Sequence, residues 1–111
     1  MSDHISRDEL RELVDRNAVT VVEALGAPYF ESGHLPGAIN IPHTEITSLA
    51  PALLPDKDAA IVTYCSNTAC ANSRVALAQL RKLGYTDVRA YAEGKQDWEA
   101  AGLPLETGVP V

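Results

Sequence analysis

Two short stretches of this chain, Val19–Glu23 and Ile61–Cys65, are β-branched and apolar almost without a break. A strand with one wet face alternates polar and apolar residues. A continuous run reads instead as a strand covered on both faces, the usual state of strands in parallel sheets. Val88–Tyr91 reads as a third strand, and Ala38–Ile41 is a short apolar run stopped by Pro42. Between these runs the spacing turns helical. Ser6-Arg7-Asp8-Glu9 is a capping box, and Leu10, Leu13 and Val14 place one apolar stripe on a helix over residues 7–16. Pro28 opens a short helix through Glu31 that Gly33 ends. Residues 43–54 carry Ile46, Leu49 and Leu53 at helical spacing, with Pro51 weakening the middle. Further helices are predicted over about 72–83, closed by Gly84, and over 94–101 around Trp98, with tail beyond Pro104. Strands alternating with helices over short loops predict an α/β domain with a mostly parallel central sheet flanked by helices. A length of 111 residues fits one such domain, spanning residues 1–111.

The net charge of −6 argues against a nucleic-acid surface and against an anionic membrane. No stretch approaches the roughly 20 apolar residues needed to cross a bilayer. The start of the chain lacks the charged and apolar regions of a signal peptide. Two cysteines are too few for a disulfide scaffold, so both thiols are expected free, in a cytoplasmic setting. His34, in a Gly-His-Leu-Pro-Gly turn, is expected to hydrogen-bond backbone, and His43 to begin a helix at the surface. Neither has metal-ligand spacing to the cysteines, so no metal and no cofactor is expected. Tyr91 and Trp98 read as packing residues.

The chemistry concentrates at Cys65. The thiol stands at the end of a buried strand, before a loop of small polar residues, Ser66, Asn67, Thr68, Ala69, Cys70, Ala71, Asn72 and Ser73. Loop amides and a helix start both favour negative charge, so the Cys65 pKa is expected to fall below the ordinary thiol value. Cys70 is either a small loop filler or a resolving thiol. The second reading needs the two Cα atoms within about 4.4–6.8 Å. Ser73 is expected to cap the following helix. Arg74 is either a solvated cation or a contact for an anionic donor.

These residues resemble a family. Gly33-His34-Leu35-Pro36-Gly37-Ala38-Ile39-Asn40-Ile41-Pro42, Tyr64-Cys65, Leu83-Gly84-Tyr85 with Val88, and Gly94 with Trp98 and Ala101-Gly102-Leu103-Pro104 are similar in order and spacing to the signatures of single-domain rhodaneses. The resemblance covers residues 5–106 and implies a rhodanese-like three-layer domain. It also implies a sulfurtransferase in which Cys65 takes sulfane sulfur from thiosulfate or a persulfide donor, becomes a persulfide, and passes the sulfur to cyanide, a thiol or a protein acceptor. The loop from Ser66 to Ser73 would cup that sulfur.

Three departures stand out. Glu23 and Leu25 occupy the places where the family usually has an aspartate and an arginine. Glu93-Gly94 replaces a double glycine. Alignment on Gly84 puts Asn72 where the loop's basic residue normally falls, and makes the loop longer, with Cys70 in the extended part. Without that cation, activity on thiosulfate is expected to be weak. A phosphatase or arsenate reductase would need an arginine close behind the cysteine to clamp its oxyanion, and here the first arginine is already in the helix. The alternative class is a non-enzymatic binding or redox-sensing module that uses Cys65 and Cys70.

Overall fold

The computed structural model describes residues 3–108. Helix α1, Arg7–Asp15, opens on Ser6, whose hydroxyl accepts from the Glu9 N–H at 3.2 Å, as the capping box predicts. Strand β1 is Thr20–Glu23 and helix α2 is Ala27–Ser32, with Pro28 in its first turn. Strand β2, Ile39–Asn40, precedes helix α3, Ile46–Leu53. Strand β3, Ile61–Tyr64, is followed by helix α4, Asn72–Lys82. Strand β4, Val88–Tyr91, and helix α5, Gly94–Ala100, complete the order.

The strands lie in the order β2-β1-β3-β4, all parallel, with Thr20 beside Ile61 and Ile61 beside Val88. The chain start adds to the free edge of β4, where the Ile5 N–H donates to Ala90 O at 3.1 Å. Side chains leave each strand on alternate faces. Val22, Ile61 and Val88 pack with Ile46 and Ala50 of α3 and with Ala76, Leu77 and Leu80 of α4. Val21, Val62, Tyr64 and Tyr91 pack on the other face with Leu10 of α1, Phe30 of α2 and Trp98 of α5. Every residue of β3 is buried, which is why its sequence does not alternate. Each large apolar side chain so covered contributes about 1.5–3 kcal/mol relative to exposure.

Several local expectations are corrected. The helix expected from residue 43 begins at Ile46, and His43 is half-buried ahead of it, its N–H bound to Ala24 O at 3.2 Å. Pro51 sits inside α3, which ends two residues later. Ser73 does not cap α4. The helix opens two residues earlier than that role requires, with Ala71 at the cap position and its carbonyl taking the Arg74 and Val75 N–H groups. The stretch after Pro104 is not loose. His34 and Glu106 exchange backbone hydrogen bonds at 2.8 Å, and Leu103 and Leu105 pack on the core. Residues 109–111, also read as tail, lie outside the described residues. His34 follows its expected role, with Nδ1 2.8 Å from Phe30 O and the ring stacked on Phe30.

Candidate active site

Cys65 follows β3 directly, at the carboxyl end of a central strand. Ligand crevices of open α/β sheets form at such ends. Three features fix its backbone. The Lys95 N–H at the start of α5 donates to Cys65 O at 2.8 Å, and the Gln96 N–H donates to Ser66 O at 2.8 Å. Gly94 permits this approach. Its φ is +70°, and a Cβ there would stand 2.5 Å from Cys65 O. Only glycine tolerates both conditions, which gives the Gly94 signature a physical reason.

A charge network braces the same corner. Glu23 is fully buried at the end of β1, and its Oε1 accepts from the Tyr64 hydroxyl at 2.7 Å and from Lys95 Nζ at 3.0 Å. Lys95 Nζ also donates to Gly33 O at 2.6 Å and Tyr29 O at 3.0 Å. The Leu35 N–H donates to the Tyr64 oxygen at 3.1 Å. The cation that Leu25 cannot provide is supplied from α5, and Leu25 is buried as an apolar residue. Neither Lys95 nor Tyr64 was singled out from the sequence as a partner of Glu23. The available signal was a carboxylate at the end of an otherwise apolar strand, which burial obliges to find a counter-charge.

The loop above the sulfur is held more lightly. Asn67 turns it, with its Oδ1 accepting the Ala69 N–H at 2.9 Å and its carbonyl the Cys70 N–H at 3.1 Å. Thr68, Ala69 and Ala71 are exposed, and Ser66, Asn67 and Cys70 are half-buried. The Asn72 amide reaches Ala24 O at 3.4 Å, tying the loop to the end of β1 as a neutral group. Arg74 is exposed, beside the inward-facing Ser73, and its guanidinium makes no hydrogen bond or ion pair with the described residues.

Cys65 itself has no exposed surface, and both cysteines are free thiols. The Cys65 thiol donates to Cys70 O at 3.3 Å. Burial pushes the Cys65 pKa up, and the Cys70 contact adds to the rise, while the N–H and side chain of Ser73 pull the other way. The expected depression is thus corrected. In this closed loop, desolvation and the neighbouring Cys70 side chain outweigh the donors. A hollow of about 580 Å³ beside His34 and Glu106 is not at the cysteine. A smaller one of about 250 Å³, lined by Ser66, Lys95, Gln96 and Gly33 among others, adjoins the base of the loop. No helix among the described residues is long and apolar enough to cross a membrane.

Residues 6–101 match the family model of the rhodanese-like domain. Over 98% of its length the chain is 36% identical to an HTH-type transcriptional regulator of Mycobacterium tuberculosis, covering 47% of that protein. It is 37% identical to a probable 3-mercaptopyruvate sulfurtransferase of Schizosaccharomyces pombe, over 73% of this chain and 33% of that protein. The chain thus spans about half the length of one curated relative and a third of the other. Among solved structures, a human single-domain sulfurtransferase superposes with a TM-score of 0.81 at 26% identity, covering 90% of this chain and 97% of that one.

Proposed function

The chain belongs to the rhodanese-like domain family, and on that footing we propose that it is a sulfurtransferase that works through a persulfide on Cys65. The observation that carries the reading is the placement of a strand-end thiol under a loop of small residues that leads into α4. The ionised sulfur attacks the outer sulfur of thiosulfate or of a persulfide donor. The donor's S–S bond breaks, and sulfite or a thiolate leaves with the electron pair. The Cys65 persulfide then gives its outer sulfur to cyanide, a thiol or a protein acceptor, and the Cys65 thiolate is restored.

Ser66, Asn67, Thr68, Ala69, Cys70, Ala71, Asn72 and Ser73 form the donor-binding loop in this reading. The loop must lift for the donor to enter, since Cys65 has no exposed surface at rest. Its light anchoring supports such movement. Arg74 is the nearest arginine in sequence, free to meet an anionic donor at the loop's edge. With no cation inside the loop, thiosulfate turnover is weak, and a thiol-bound donor suits the site better. The setting is cytoplasmic. Replacing Cys65→Ser abolishes thiosulfate:cyanide turnover. Unchanged turnover in that variant would remove the proposal.

One observation favours a second reading. The 36% identity to a transcriptional regulator covers nearly the whole chain, and the Cys65 thiol already touches the backbone of Cys70. A sensing module would close a Cys65–Cys70 disulfide under mild oxidation and show negligible sulfur transfer when reduced.

A further inference from the structure

The hollow of about 250 Å³ between α2 and α5 includes Ser66 in its wall, the residue joined to Cys65 in the chain. Its volume lies below the range of about 300–1,000 Å³ usual for drug-sized ligands, so it fits a small molecule. The Tyr29 ring, 61% exposed, and Leu105 give it apolar walls. Its one lining cation is Lys95, and that charge is already matched. An ammonium has three N–H donors. Those of Lys95 meet Glu23 Oε1 at 3.0 Å, Gly33 O at 2.6 Å and Tyr29 O at 3.0 Å. The buried Glu23 carboxylate balances the charge. The remaining lining charge is Glu99, which is exposed and makes no side-chain hydrogen bond or ion pair with the described residues. Arg74 is not part of this wall.

We propose that this hollow is the mouth through which Cys65 meets small thiols, and that Glu99 makes it select thiols with a positively charged or neutral body over anionic ones. The acceptor role of those thiols rests on the sulfur-transfer reading; the mouth and its charge preference do not. In that role the acceptor thiolate attacks the outer sulfur of the Cys65 persulfide. The S–S bond breaks, Cys65 leaves as thiolate with the electron pair, and the acceptor becomes the persulfide. An aminothiol brings its ammonium to Glu99 while its sulfur faces Ser66 and the cysteine beyond. A thiol with a carboxylate or sulfonate body meets the Glu99 charge instead, and finds no free donor on Lys95 to offset it. Like charges at such a mouth lower the local concentration of the reactant, and opposite charges raise it.

The test reads the rate at which Cys65 reacts with three methanethiosulfonates that carry a neutral methyl, a cationic aminoethyl or an anionic sulfonatoethyl group. A Cys70→Ser background leaves Cys65 as the single thiol. The Cys65 thiolate attacks the reagent's sulfenyl sulfur, the S–S bond breaks, and methanesulfinate leaves with the electron pair. Each rate is divided by that of a neutral blocked cysteine, which removes the reagents' own reactivity. At low salt the ratio of cationic to anionic rates falls about threefold to fivefold in Glu99→Gln, the scale of one exposed charge, and further in Glu99→Lys. The neutral reagent is unmoved by either, and added salt shrinks the difference. The chain as a whole is acidic, so position is the diagnostic. Asp87→Asn removes the same charge before β4, at the opposite end of the parallel sheet, and leaves the ratio unchanged. A ratio that Asp87→Asn moves as far as Glu99→Gln, or that Arg74→Gln moves instead, would overturn the proposal. Labelling needs no sulfur donor, so sulfur transfer fails separately, by the absence of a Cys65 persulfide after thiosulfate. Where that persulfide forms, cysteamine takes its sulfur faster than mercaptopropionate at equal thiolate concentration, and Glu99→Lys reverses the order. An order indifferent to position 99 would overturn the acceptor selection.

Discussion

The floor and the roof of the cysteine site are built on opposite principles. Below Cys65, the contacts are short and closely fitted. Two α5 amides hold the carbonyls of Cys65 and Ser66, Gly94 lies against them, and Glu23 is locked between Tyr64 and Lys95. Above it, the loop from Ser66 to Asn72 relies on one asparagine turn, a long amide contact and a thiol donating to a carbonyl. The comparison teaches a division of labour. The floor fixes where the sulfur stands, and the roof holds its surroundings by fewer and longer contacts.

Three measurements break or sharpen this contrast. The largest expected effect is at Gly94. Gly94→Ala forces a Cβ into Cys65 O at positive φ, and should cost about 3–4 kcal/mol by combining the left-handed penalty with overpacking. Chemical denaturation measures it, and a loss near zero would show that the floor is soft. Next is Lys95→Met, which leaves Glu23 buried without its cation and should cost about 3 kcal/mol. Adding Glu23→Gln to Lys95→Met should recover most of that loss. A double variant as unstable as the single one would show that the charge pair is not the brace.

The smallest effect is the pH dependence of stability. The folded protein holds the Cys65 proton more tightly than the unfolded chain does, because burial raises the native pKa. That contribution is whole below the unfolded thiol's pKa of about 8.5 and is lost as pH rises through the folded value. Comparison of the parent with Cys65→Ser between neutral and alkaline pH isolates it. Stability that rises with pH in the parent alone would reverse the assignment.

The sheet was legible because burial on both faces leaves its mark on composition. Thr20–Glu23 and Ile61–Tyr64 have nowhere to place alternating polar residues. The position of the thiol at a strand end followed from the same pattern. What escaped the sequence depends on contacts between remote segments. Lys95 reaches Glu23 from another layer, and no local spacing announces that. Ser73 is no cap because the helix opens at Asn72, and two residues of shift convert a cap into an inward-facing group. The direction of the Cys65 pKa followed from a sealed roof, and loop composition alone records donors but not solvent exclusion. Glu106 returning to His34 was hidden in a stretch with no periodicity.

The central claim is that Cys65 carries the transferred sulfur. The most direct test incubates the reduced protein with thiosulfate and weighs its peptides. One added sulfur confined to the peptide bearing Cys65, removed by cyanide and absent from Cys65→Ser, is the predicted result. A reduced protein that takes no sulfur at Cys65, yet closes a Cys65–Cys70 disulfide under mild oxidant, would contradict it.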